Sequence, residues 1–574
     1  MKKSNKKGFT IVELVIVIAV IAILAAVLIP TFSGIVRRAQ ISADVQLCRN
    51  LNTVLSNAKA EGRIPGSMYD VLYLINEAGY ILENLNPTSQ GFYYAWDQKE
   101  NSIIYIQDDL KTVRFPEDYN LTQSDCWVTV GDSEEAKKIA AEGFNLYLEN
   151  DIAKIELDNV VSVDTGAFKC KEIIMNGTVT EATATSKWLI GNFDDVKINA
   201  SGANVSMRGV ISNNLEVTGS NATIGISGTV GSYVPSAGVT STVSNAGMIG
   251  KVTGAGNITN NGIISSSTGS STITGNNVGK VDGHVIEAST KEDLESIRTQ
   301  VGSGKRNFSG ETIKLANDIN LNGIAFMPIS NYNRNNITDS KVTNAWFQGT
   351  FDGQGHTIQN FSNSGFSIAG LNAGTNQTSP SFGESNVTYD EAVYGLFGTV
   401  FNATIKNLKV TANINMIIDN ANKYVGDSVG AIIGFAFGEK VVIENCTVNG
   451  SINGYDGAAA FVGRCYADSI EFINCTNNAN VTGVRKTAAF VGTIKDGKVS
   501  YTNCTNNGSV VCLGVDADRE LGVQGTLGAN GTGYYKAAVG SCNGTNSNIT
   551  GTITNNGTVK VGDTTVAEDK LLNN

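Results

Sequence analysis

Histidine is almost missing from this chain, with 2 in 574 residues, and the 9 cysteines include no Cys-x-x-Cys pair. Zinc sites draw on clustered imidazoles and thiolates, so the composition argues against a metalloenzyme. Proline is scarce, at 7 residues, while glycine is abundant, at 63. With many Asn, Thr and Ser, that balance suits short strands and tight turns, as in an all-β repeat protein. Basic charge is in the minority: 42 Lys and Arg against 53 Asp and Glu leave a net charge of −11. That argues against a nucleic-acid groove built by bulk electrostatics. The length exceeds what one core supports and implies about three domains.

One long hydrophobic run stands at the very start. Lys2, Lys3, Lys6 and Lys7 precede Gly8, and Phe9-Thr10-Ile11-Val12-Glu13 then leads apolar sequence to Ile29 and Pro30. Phe9 to Ile29 is 21 residues with a single charge, Glu13. As a helix it spans about 30 Å, the thickness of a bilayer's hydrocarbon core. The four lysines would hold the N-terminus on the cytoplasmic side. A carboxylate in lipid costs at least ~2.5 kcal/mol, so Glu13 marks a partnership. A secretory signal has an apolar region of about 7–15 residues followed by a small-residue cleavage site. This run is longer and continues into Pro30 and an amphipathic helix.

The segment KKGFTIVEL resembles the cleavage and methylation signal of type IV pilins and pseudopilins. The resemblance is strong over about residues 1–60 and loose over 61–110. It implies that a prepilin peptidase cuts after Gly8 and N-methylates the new first residue, Phe9. It also implies that Glu13 neutralises a neighbouring subunit's N-terminal amine during assembly of helix-packed pilin subunits. Loss of the four leader lysines would take the net charge from −11 to −15.

Beyond Pro30, which should kink or locally melt the helix, Val36, Ala43, Leu47, Leu51, Val54, Leu55 and Ala58 recur at three- and four-residue steps. Arg37, Arg38, Asp44 and Arg49 fall mainly elsewhere. A short helix is predicted over Tyr69–Ala78, with Gly79 as its cap. A hairpin is predicted from Gly91–Ala95 and Ser102–Ile106. The domain reading is therefore a leader at 1–8, an assembly helix at 9–60, and a small α+β head at 61–110. A linker with the short helix Ser133–Ala141 covers 111–143. From Phe144 the chain changes to short strands cut by Gly, Asn and Ser, which bury a face only by stacking. Two β-solenoids are predicted, at 144–285 and 286–574, the second opening on a capped helix at Lys291–Thr299.

In the second, Val441–Cys446, Ile470–Cys475 and Val499–Cys504 each end in Asn-Cys-Thr at intervals of 29 residues. Gly434, Gly463 and Gly492 keep the same interval, and Gly540 follows 48 residues later. Each repeat then forms one turn of stacked strands about 4.8 Å apart. Asn407, Asn445, Asn474 and Asn503 are expected to ladder at a turn, and Cys446, Cys475 and Cys504 to stack inward as small hydrophobes. Insertions interrupt the period at about Thr411–Gly426 and Leu513–Gly533. Phe347–Ile358 and Tyr394-Gly395-Leu396-Phe397-Gly398 resemble the Gly-Leu-Phe-Gly-type repeats of right-handed parallel β-helix surface proteins. That resemblance covers about 286–562 and implies architecture rather than activity.

A polysaccharide-cutting β-helix needs clustered carboxylates. The nearest candidates are Asp352 and His356, with Asp318 a single acid, and the segment reads equally as a glycine-rich turn. His284 has no visible partner. The fold expected is mainly β, with a long N-terminal helix, a pilin-like head and parallel β-helix regions. The function expected is a pilin-like subunit, minor or at the tip, without enzymatic activity. It would be anchored once in the bacterial membrane, pass into a surface filament, and display a rod that binds a host surface or glycan. An anchored glycan-cutting enzyme and a pseudopilin of a secretion or DNA-uptake machine are the alternatives. No nucleic-acid partner, metal or cofactor is expected.

Overall fold

The computed structural model describes residues 11–80, 86–179, 186–236, 242–275, 283–324, 326–330, 345–363, 377–378, 388–389, 393–416, 428–495, 497–513, 539–543, 548–561 and 564–565. Helix α1 runs Ile11–Ala60. It is continuous across Pro30, so the chain is not melted there; a proline removes one N–H, and neighbouring turns can carry the helix past it. Helix α2, Met68–Glu77, begins where Ser67 accepts from the Asp70 amide at 3.2 Å. Strands β1 (Phe92–Asp97) and β2 (Ser102–Gln107) pair antiparallel around the left-handed Asn101 (φ 54). The residues expected as a linker add a third strand, β3 (Val113–Phe115), beside β2. That segment belongs to the head sheet.

No gap separates head from repeats. Strand β4 (Cys126–Val130) lies antiparallel to β1 but parallel to β5 (Asn145–Leu148), and helix α3 (Ser133–Ala141) makes the crossover. From β5 the ladder is parallel through β7 (Val163–Met175), β8 (Lys187–Ile198) and β9 (Asn204–Val217), and β6 (Ile152–Leu157) also lies parallel to β7. These strands are far longer than the fragments read from sequence, and β8 was not anticipated. The apparent interruptions are glycines at which one strand turns a corner. Gly191 (φ 97) and Gly209 (φ 119) are register partners, and a Cβ on Gly209 would collide with the Gly191 backbone. Further along, the offset between paired strands shortens, from Thr223↔Thr242 to Thr242↔Asn257 and Asn257↔Thr272.

The second parallel set is opened by helix α4 (Lys291–Gly302), which starts at a capping box between Thr290 and Asp293. Lys440–Glu444, Ser469–Ile473 and the start of Lys498–Asn506 pair in register at the 29-residue spacing. A separate parallel sheet joins Phe397–Phe401, Ile433–Phe437, Val462–Cys465, Val491–Lys495 and Val539–Asn543. The repeating Gly434, Gly463 and Gly492 sit where this sheet meets the backbone of Val393–Tyr394, Ser428–Gly430 and Gly457. A Cβ at Gly463 would strike the Val429 amide. Residues 411–416, expected inside an insertion, are strand Lys409–Met416, paired with Thr447–Gly454. The rest of that insertion and most of Leu513–Gly533 lie outside the described residues. Separate buried cores fill the head, the first parallel set and the second.

Candidate assembly helix and repeat ladders

The two halves of α1 face different surroundings. From Ile11 to Leu24, the described large apolar side chains are exposed, with Ile11 at 81% and Ile21 at 59%. Phe32, Ile35 and Val36 are exposed as well. A helix apolar around its whole circumference is one that is buried in its working state. Among the described residues no helix is long and apolar enough to cross a membrane. Glu13 lies exposed near the start of this half, and Gly8 and Phe9 lie outside the described residues.

The second half is seated on the head by Asp44, Cys48, Leu51, Leu55 and Ala58, all buried. Val36 and Ala43, expected on the buried face, are exposed, and Asp44, expected off it, is 1% exposed. The carboxylate is tolerated because it is fully engaged. It accepts from the Thr88 amide and hydroxyl and the Ser89 amide, each at 2.9 Å, and from the Tyr105 hydroxyl at 3.2 Å. Burial alone would raise its pKa, but the hydrogen bonds from Ser89 and Thr88 outweigh it and hold the carboxyl below its ordinary range. About two turns further, Asn52 grips the edge of β2, donating to the Ile103 carbonyl at 2.8 Å and accepting its amide at 2.7 Å. The signal for Asp44 was available: it is the helical predecessor of Cys48, Leu51 and Leu55 at steps of four and three.

The start of the second parallel set docks on this head. Lys291 of α4 is buried against Asp70 of α2, and Glu295 lies 3.6 Å from it. Asn322 donates to the Ile64 carbonyl at 2.9 Å. Asp164 of β7 is buried nearby, and desolvation pushes its carboxyl up to about 7. His284, which lacked a partner in the sequence, is buried with Nδ1 3.1 Å from Glu311, whose carboxylate also accepts from Arg306. That partner was not legible because the contact spans 27 residues, with a strand and the whole of helix α4 between the two.

The repeats place their equivalent residues in rows. Asn445 donates to Asn407 at 3.0 Å, Asn474 to Asn445 at 2.9 Å and Asn503 to Asn474 at 3.2 Å. All four are left-handed, with φ of 52–53°, a conformation Asn accepts more readily than most residues. The row begins at Asp352, which accepts from Asn407 at 2.9 Å and from the Gln354 amide at 3.0 Å. His356 instead, half-buried, faces the exposed Asp318 at 3.3 Å. The two candidate catalytic residues thus have separate partners. Cys446, Cys475 and Cys504 are buried in one column, each thiol directed at strand carbonyls, as from Cys475 to Ile443 at 3.3 Å. Burial pushes the Cys446 thiol up to about 12. A second, interior row went unread: Asn477 donates to Asn506 at 2.8 Å and Asn506 to Asn555 at 2.6 Å.

A family model for the prokaryotic N-terminal methylation motif matches residues 3–29. A fimbrial protein of Moraxella nonliquefaciens is 45% identical over 58 residues, covering 10% of this chain and 38% of that protein. A type IV major fimbrial protein FimA of Dichelobacter nodosus is 36% identical over 67 residues, 12% of this chain and 43% of the relative. The chain thus spans about two-fifths of the length of these relatives, all of it at its N-terminal end. No solved structure matches the chain. What can be said of its kinship is that the N-terminal region carries a prokaryotic methylation motif and is similar there to type IV fimbrial proteins.

Proposed function

We propose that the chain is a subunit of a type IV pilus-like filament, minor or at the tip, that carries a parallel β-helical rod outward to bind a surface. In this reading a prepilin peptidase cleaves after Gly8 and methylates Phe9. The run Phe9–Ile29 holds the chain once across the membrane before assembly, and Glu13 pairs with a neighbour's amine within the filament. The observation that carries it is the division of α1: one half is exposed and apolar over Ile11–Leu24, and the other is locked to the head through Asp44 and Asn52. Such a helix needs other helices or lipid around its first half.

The parallel strands supply the rod. Rows of Asn and Cys fix the register of each repeat on the last. The reading is of a display protein without catalysis, because Asp352 serves as the first rung of the Asn row and His356 is engaged elsewhere. The test is incorporation: Gly8→Val should leave unprocessed precursor in the membrane, and Glu13→Val should insert but not enter filaments. Normal assembly of Glu13→Val would remove the charge-pair step from the account.

A further inference from the structure

Helix α4 opens the second parallel set with its first residue set into the head. Lys291 is 7% exposed, Asp70 of α2 is fully buried, and Lys291 Nζ is in direct contact with Asp70 Oδ1. The two residues are 221 apart in the chain. Among the described residues this is the only lysine–carboxylate pair with both side chains buried. Lys138 and Asp108 touch as closely, but their side chains are 42% and 54% exposed, so water keeps both ions charged.

Two further groups complete the arrangement. Asp70 Oδ2 accepts the Gly66 amide at 2.9 Å, so each oxygen of the carboxyl has its own partner. Glu295, one turn along α4, places Oε1 3.6 Å from Lys291 Nζ. Glu292 and Arg298 of α4 and Asp164 of β7 add charge to the same cluster. Desolvation favours a neutral Lys291, but attraction to Asp70 and Glu295 outweighs it and holds the ammonium above its ordinary range. Desolvation also raises the Glu295 carboxyl, against the pull of Lys291. A buried ion pair is costly, and moving one proton from Nζ to Asp70 Oδ1 removes both charges at once. That transfer leaves an amine held against a carboxylic acid.

We propose that Lys291 and Asp70 react to form an amide cross-link between α4 and α2, with Glu295 as proton carrier and the Gly66 amide as oxyanion donor. After the proton transfer, the Nζ lone pair forms a bond to Asp70 Cγ. The C=O π pair moves onto Oδ2, which the Gly66 N–H stabilises. Nζ gives a proton to the Glu295 carboxylate. Glu295 returns it to the Oδ1 hydroxyl as the Cγ–Oδ1 bond breaks and water leaves. One ammonium and one carboxylate thus become one secondary amide and one water, with no change of oxidation state. Tension in the second parallel set would then pass to the head through a covalent bond, bypassing the chain between Asp70 and Lys291.

The experiment is mass spectrometry of the full chain purified in detergent. Its intact mass should lie one water below that of its sequence. Trypsin does not cut after an acylated lysine, so it should release a branched peptide joining residues 64–99 to residues 281–298. Lys291→Arg keeps the charge pair and should show the full mass and no branched peptide. Glu295→Gln should lower the yield of branched peptide at least tenfold at a fixed time after synthesis. Tryptic cleavage after an unmodified Lys291 throughout the wild-type chain would overturn the proposal. Loss of water without the branched peptide, as from a succinimide at an Asn-Gly step, would overturn it too. Wild-type yield in Glu295→Gln would overturn the role of Glu295.

Discussion

Replacing Asp44 by Asn should loosen the grip of α1 on the head in a way that can be read residue by residue. The carboxylate takes the Thr88 and Ser89 amides on its two oxygens, at 2.9 Å each. An amide has one oxygen, so an NH₂ group must face one of those N–H donors. Hydrogen bonds to a charged acceptor are worth about 1.5–3 kcal/mol each; losing one and weakening the other comes to about 3 kcal/mol locally. Exchange of the Thr88 and Ser89 amides, followed by mass spectrometry on the full chain, should then speed up by about 150-fold. The folded pKa of Asp44 is depressed, so its contribution is present above the unfolded value near 3.8 and fades as pH falls through the lower folded value. The difference between wild type and Asp44→Asn should therefore be full at pH 7 and shrink below about pH 4. Equal exchange at pH 7 in both chains would refute the reasoning.

Other consequences follow from the same geometry. Cys475→Asp would bury an unpaired charge in the repeat core and should cost several kcal/mol, seen as loss of the cooperative melt of the second parallel set. Asn474→Ala removes two ladder bonds and strains a φ of 53°, for about 1–2 kcal/mol, whereas Asn474→Gly should recover the strain component. Lys291→Met leaves Asp70 buried without its cation and should cost about 3–5 kcal/mol at the junction, measured as protease cleavage near residues 63–70. Asp164, raised to about 7 by desolvation, is a penalty that grows as pH rises from its unfolded pKa toward 7. Asp164→Asn should raise the melting temperature at pH 8, with the gain fading toward pH 4.

The sequence disclosed what depends on local pattern. The 29-residue interval shows in Asn-Cys-Thr and in the glycines, and the structure pairs those strands at that offset. Helix α3 occupies the expected residues because Asp132 caps it, accepting from the Glu134 and Glu135 amides. Contacts distant in the chain were hidden. The spacing of Asp44 before Cys48 and Leu51 placed it on the buried face, but the partners that let a carboxylate sit there lie 44–61 residues away, in a turn and a strand. The first parallel set looked ragged because β8 and β9 bend at glycines that read as loop residues, and its offset changes along the stack.

The most direct test of the central proposal is intact-mass and N-terminal peptide analysis of the protein in filaments sheared from cells. The account predicts a chain that begins at Phe9, carries one methyl group on its amine, and disappears from the sheared fraction in Glu13→Val while remaining in the membrane. A native N-terminus beyond residue 25, or an unprocessed chain retaining Lys2 to Lys7 on the cell surface, would contradict it.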